Sequence, residues 1–218
     1  MKLEEYEREF YSQPNFDFEQ SGKRIWRAIE IIGSGHRVLD IGCWGGEISE
    51  LIKKQGNQVV AVDISEASVE RARGRGIEAH VQDIAKGLEM ADCSFDVVYM
   101  GDILEHLFDV RGAMREAHRV LKVGGRLVIT TINICSLRDR VLLLSGSIPA
   151  YYGTHEDHIR LFNKARLVRW LTDAGFRVSR FEGLAIEMPY WRGRLLRWET
   201  RRFPTLSSQF VIEAVKDR

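Results

Sequence analysis

Val38-Leu39-Asp40-Ile41-Gly42-Cys43-Trp44-Gly45-Gly46 decides the fold of this chain. An apolar run carrying Asp40 enters a glycine-rich turn, and a helical pattern opens around Glu47. That order reads as a buried parallel strand, a tight turn and a helix start. Glycines in such a turn let the backbone approach a ligand closely and take φ values that other residues avoid. The helix start adds N–H groups that have no helical partner. The acid stands before the first glycine here. A dinucleotide loop reads Gly-x-Gly-x-x-Gly without such an acid, so the pattern favours a nucleoside ligand with positive charge over a pyrophosphate.

Working outward, Val59-Val60-Ala61-Val62-Asp63 is a second apolar strand, its terminal acid 21 residues after Gly42. An acid at that place suits hydrogen bonds to two ribose hydroxyls. Val81-Gln82-Asp83-Ile84 closes a third strand, with Asp83 placed to accept from an adenine amino group. Phe95 to Met100 is a fourth strand and runs into Gly101-Asp102-Ile103-Leu104-Glu105-His106-Leu107. Leu121 to Thr131 holds a Gly-Gly turn and a fifth strand. S-adenosylmethionine, with its sulfonium and ammonium, fits the charge pattern of the first loop.

With these motifs in this order, roughly residues 20–182 resemble the class I S-adenosylmethionine-dependent methyltransferases. The nearest likeness is to the branch holding ubiquinone and menaquinone biosynthesis methyltransferases and small-molecule O-methyltransferases. The resemblance implies an α/β, Rossmann-like, doubly wound sheet. It would have seven mostly parallel strands, an antiparallel last strand and helices on both faces. It implies methyl transfer from S-adenosylmethionine to a small-molecule acceptor at oxygen, leaving S-adenosylhomocysteine. Asp40, Gly42 and the turn through Gly46 would hold the methionine part, and Asp63 the ribose. Ile64 would pack on the adenine, Asp83 and Ile84 would read its edge, and Gly101 would floor the methyl group. The family pattern Asp-x-Gly-x-Gly-x-Gly is broken by Trp44 at the central glycine. That indole is expected either to flank the methionine end or to fold back onto the N-terminal helix.

Methyl transfer from a sulfonium is an in-line displacement, so the protein mainly positions the acceptor and removes its proton. His106 is the first candidate for general base, because an unperturbed imidazole titrates near neutrality. His155, in Gly153-Thr154-His155-Glu156-Asp157-His158, is the second. Glu-His is widespread at the first position in the resembled family, so His106 reads equally as a pocket-shaping residue. His158 reads as structural. Some relatives carry an acid, then Glu-His, then a distant histidine, a set suited to Mg²⁺, Mn²⁺ or Zn²⁺. Those positions fall on Asp102, Glu105, His106 and His155, but Asp102 is shorter than the relatives' Glu, and no metal ligand is assigned.

The chain has 218 residues, the size of one domain with a sizeable core. Its net charge of +1 gives no general footprint for nucleic acid. Cys43, Cys93 and Cys135 are odd in number and widely spaced, which excludes a disulfide framework and a zinc motif and suits a reducing compartment. No apolar run is long enough for a membrane span, and the start of the chain lacks a secretion signal, so a cytoplasmic protein is expected. The sequence leaves the oligomeric state open.

A single domain over 1–218 is expected, with an N-terminal cap and helix over 1–33. A lid-like insert over 133–160 holds Val141-Leu142-Leu143-Leu144, Tyr151 and Tyr152. A basic insert over 184–206 carries arginines at 192, 194, 197, 201 and 202. It reads as a helical excursion whose arginines are solvated or pair with the acidic N-terminus, or else as a membrane-surface or nucleic-acid patch. Two other functions share the sheet: a nicotinamide-dependent oxidoreductase, and a partner protein that binds the cofactor without turnover.

Overall fold

The computed structural model describes residues 18–149, 158–191, 194–198 and 201–218. Helix α1 (Phe18–Ile32) leads into β1 (Arg37–Ile41), α2 (Glu47–Lys54), β2 (Gln58–Asp63), α3 (Glu66–Gly74) and β3 (Glu78–Val81). A short 3₁₀ turn at Ile84–Lys86 precedes β4 (Phe95–Gly101), and a second at Leu104–His106 precedes α4 (Val110–Val120) and β5 (Leu121–Ile132). Helices α5 (Leu137–Leu144) and α6 (Lys164–Asp173) follow, then β6 (Phe176–Gly183), β7 (Ile186–Trp191), β8 (Arg194–Trp198) and β9 (Gln209–Lys216).

Seven strands form one sheet in the order β3-β2-β1-β4-β5-β9-β6. Strands β1 to β5 pair in parallel, and β9 enters antiparallel between β5 and β6. This is the doubly wound sheet expected from the motifs. Strand β1 lies between β2 and β4, so the winding reverses there. Sheets of this kind take their ligand in the crevice beyond the carboxyl ends at such a reversal.

Helices cover both faces, which is why the central strands read as unbroken apolar runs. On one face α4 and α6 pack Met114 and Leu171 against Leu39, Ile41 and Met100. On the other, α1, α2 and α3 pack Ile25, Ile52 and Val69 against Val38, Ala61 and Val97. Ile25 and Ile32 of α1 are fully buried, and burial of each stabilises the fold by about 1.5–3 kcal/mol. The start of α6 is fixed by Asn163, whose side chain accepts from the Arg166 N–H at 2.9 Å.

The segment after β6 departs from expectation. Strands β7 and β8 form an antiparallel pair, with Ile186 opposite Trp198 and Trp191 opposite Arg194, where a helix was expected. Aromatic residues favour extended backbone. Pro189 has no N–H for a helix and lies where the register shifts between Met188 and Trp191. Helix α5, inside the 133–160 segment, runs along β7, and Arg138 bonds the buried Glu187 at 3.2 Å. Among the described residues no helix is long and apolar enough to cross a membrane.

Candidate active site at the carboxyl ends of the strands

The turn after β1 is held from within the chain. The amides of Gly42 and Cys43 donate to the Val62 carbonyl at 2.8 and 3.2 Å, and that of Gly46 to the Cys43 carbonyl at 2.9 Å. The Trp44 amide donates to Asp63 Oδ2 at 2.9 Å. The amides of Gly42, Cys43, Trp44 and Gly46 are therefore occupied within the turn, which disfavours a phosphate there. Gly42 has φ +79°, and a Cβ there would strike Ile103 Cδ1, so the turns after β1 and β4 touch through this glycine. Gly46 has φ +80°, and a Cβ would lie 2.8 Å from the Ala72 backbone. Its glycine character serves the packing of α2 on α3.

Trp44 takes φ +48°, a region that a bulky residue rarely occupies. Its indole is half exposed under the Arg71 guanidinium of α3, 5.7 Å from the ring centroid.

Three acids line the crevice. Asp40 is buried and accepts from Ser49 Oγ at 2.5 Å. Burial pushes its carboxyl up to about 7, helped by the charge of Asp63 and opposed by the Ser49 bond. Asp63 is oriented by two amides, those of Trp44 and Ser65, each at 2.9 Å. Asp83 caps the 3₁₀ turn by accepting from the Ala85 N–H at 3.0 Å. Ile64 beside Asp63 stands 69% exposed, an uncovered apolar platform, whereas the Ile84 side chain belongs to the core.

Beyond β4, a Cβ on Gly101 would strike the Tyr99 ring. Asp102 follows with φ +51°. Its carboxylate is fixed by an ion pair with Arg24 and by Thr130 Oγ1 at 3.2 Å. Glu105 is buried and accepts from Thr131 Oγ1 at 2.9 Å. Burial, with the Asp102 charge, raises its carboxyl to about 7. The His158 ring stands edge-on to the His106 ring, centroids 4.9 Å apart. Ligand atoms of Glu105, His106 and His158 all lie within 4.8 Å of one another. Arg160 ties its segment to this turn, its N–H donating to the Glu105 carbonyl at 3.1 Å and its guanidinium to the Phe108 carbonyl at 2.8 Å.

The sequence reading placed the distant histidine at His155, which lies outside the described residues, and took His158 as structural. The structure packs His158 against His106 and pairs Asp102 with Arg24. Arg24 was not anticipated, although a cation four residues before the buried Ala28 shares its helical face. Thr130 and Thr131 gave no signal, being ordinary strand residues.

The residues present fit S-adenosylmethionine. Asp40 and Asp63 offer carboxylates to a cation and a ribose, Ile64 offers an apolar face to a base, and the turn amides leave little for a pyrophosphate. Residues 14–180 match the family described as "Methyltransferase domain". A ubiquinone biosynthesis O-methyltransferase of Xylella fastidiosa is 34% identical over 176 residues, covering 74% of this chain and 68% of its own. A ubiquinone biosynthesis O-methyltransferase of Xanthomonas oryzae is 34% identical over 171 residues, covering 74% of this chain and 70% of its own. A solved S-adenosylmethionine-dependent methyltransferase from Archaeoglobus fulgidus shares the fold, with a TM-score of 0.71 at 22% identity over 99% of this chain and 100% of that one. The chain belongs to the S-adenosylmethionine-dependent methyltransferase family. It is an enzyme that takes its methyl group from S-adenosylmethionine and leaves S-adenosylhomocysteine. The oxidoreductase and non-catalytic readings are set aside.

Proposed function

We propose that this enzyme methylates an oxygen of a small-molecule acceptor held beyond β4 and β5, and that His106 draws off the acceptor proton. The observation that carries this reading is the grouping of His106, His158 and Glu105 just past Gly101. The relatives' name, O-methyltransferase, supports oxygen as the acceptor atom. The cofactor supplies a methyl group already activated by its sulfonium. Asp40, Gly42 and the turn from Trp44 to Gly46 hold the methionine end, and Gly101 floors the methyl group. Asp63 takes the ribose hydroxyls, Ile64 covers the adenine, and Asp83 with the Ile84 backbone reads its edge. Arg24 and Thr130 keep Asp102 in place, so the wall beside the methyl group is rigid before the acceptor binds. His106 accepts the proton on its imidazole, and His158 fixes the plane of that ring.

The whole chain acts as one domain in this reading, and the 133–160 segment, α5 included, covers the acceptor. Three free cysteines suit a reducing, cytoplasmic setting. One observation favours a second account of the proton. A carboxylate and two imidazoles within 4.8 Å could hold a divalent cation, which would lower the acceptor's pKa. His155 remains a candidate base on sequence grounds.

The test is mass spectrometry of products from a panel of phenols, carboxylic acids and amines supplied with S-adenosylmethionine. O-methyl products are expected. Products confined to amines would overturn the reading.

A further inference from the structure

The turn after β1 stands to one side of the crevice. It is braced on α3, the helix that follows β2. A Cβ on Gly46 would lie 2.8 Å from the Ala72 backbone, Arg75 Nε donates to the Gly45 carbonyl at 2.9 Å, and the Arg71 guanidinium lies over the Trp44 ring. In the sheet β1 has β2 on one side and β4 on the other. The indole therefore stands on the side of Asp63, at the end of β2, and not on the side of Gly101, at the end of β4. Asp40 keeps to the helix that follows its own strand, where it accepts from Ser49 of α2.

Trp44 is held there against its backbone preference. Its φ of +48° is one that glycine takes freely and a bulky residue rarely does. Such strain persists where the surroundings over-determine it, and it gathers at ligand sites. Here the Trp44 amide is tied to Asp63 Oδ2 at 2.9 Å, and the Arg71 guanidinium fixes the ring by a cation–π contact. The residue nevertheless stands 48% exposed, and Ile64, the next residue after Asp63, 69%. Two large apolar side chains thus adjoin the acid assigned to the ribose.

We infer that the Trp44 indole, held under Arg71, is a wall of the nucleoside half of the cofactor site. This rests on the S-adenosylmethionine reading given above and deepens it. The backbone of the turn serves the amino-acid half, and the ring serves adenosine. A nucleoside against the ring takes its exposed surface out of water, and an aromatic face offers a base a plane on which to stack.

Two ligands separate the halves. S-adenosylhomocysteine carries both, and 5′-methylthioadenosine carries the nucleoside without the amino acid. Each is titrated calorimetrically into the full chain, without turnover, so the result stands apart from the identity of the methyl acceptor. Trp44→Gly should weaken the two by the same factor, roughly fivefold or more. Tm of the cofactor-free protein should stay at or above the wild-type value, because the strain is gone. If glycine lowers Tm, Trp44→Asn carries the test, since asparagine tolerates left-handed backbone. A loss confined to S-adenosylhomocysteine would place the indole at the methionine end, and unchanged affinity for both ligands would make it a packing residue. Either result overturns the inference. A wild type that binds neither ligand would overturn the cofactor reading and this inference with it.

Discussion

His158 meets His106 edge to face, ring centroids 4.9 Å apart, although one follows β4 and the other precedes α6. The contact seats the segment before α6 on the turn that bears the proposed base. If His106 takes the acceptor proton, His106→Ala should lower kcat by roughly 10²–10⁴-fold, with little change in cofactor affinity. His158→Ala should cost less and should shift the pH profile of kcat, because the ring of His106 loses its neighbour. Steady-state kinetics across pH reads both. An alanine variant of His106 within about threefold of wild type removes the base assignment.

A chelator separates imidazole from metal. With His106 as the base, dialysis against a chelator leaves the rate unchanged, which is the expected outcome. Silencing by chelator, with recovery on adding Mn²⁺ or Mg²⁺, would transfer the chemistry to the Glu105, His106 and His158 grouping.

Asp40 predicts a pH dependence of known sign. Its carboxyl is held up to about 7 in the folded chain by burial, against about 4 for an unfolded aspartate. Between those values the folded state binds more protons than the unfolded state. The Asp40 contribution to cofactor-free stability therefore falls as pH rises through that window. The cofactor's cationic end favours the ionised carboxylate, so binding should release a proton near neutrality and tighten as pH rises. Calorimetry in two buffers of different ionisation enthalpy measures the release, and Asp40→Asn should abolish it. Proton-neutral binding by the wild type would sink the role given to Asp40.

Gly46→Ala should destabilise the fold by about 1–3 kcal/mol, since it adds left-handed strain to a methyl 2.8 Å from the Ala72 backbone. Thermal melting checks this. An unchanged Tm would mean that α3 yields more readily than its packing indicates.

Much of this was legible because it is local. Most strands of the parallel sheet are largely apolar runs, and an acid at or just past a strand end can be read without knowing what packs on it. Asp63 and Asp83 were read that way as candidates. That His158 packs on His106 was not legible, because the two are distant in sequence and joined only by the path of the chain between β5 and α6. That the Ile84 side chain turns into the core, leaving its backbone for the proposed adenine edge, is a choice of face that one strand-end residue does not reveal. The β7–β8 pair was missed because arginines and aromatics alternate there without the clean period of two that marks a half-buried strand.

The central claim is that Asp63, turned by the amides of Trp44 and Ser65, holds the ribose of S-adenosylmethionine. The most direct measurement is calorimetric titration of wild type and Asp63→Ala with S-adenosylhomocysteine, with NAD as the control. The account predicts binding by the wild type, none of NAD, and a loss on the order of 1.5–3 kcal/mol in the variant. Equal affinity in the two proteins would contradict it.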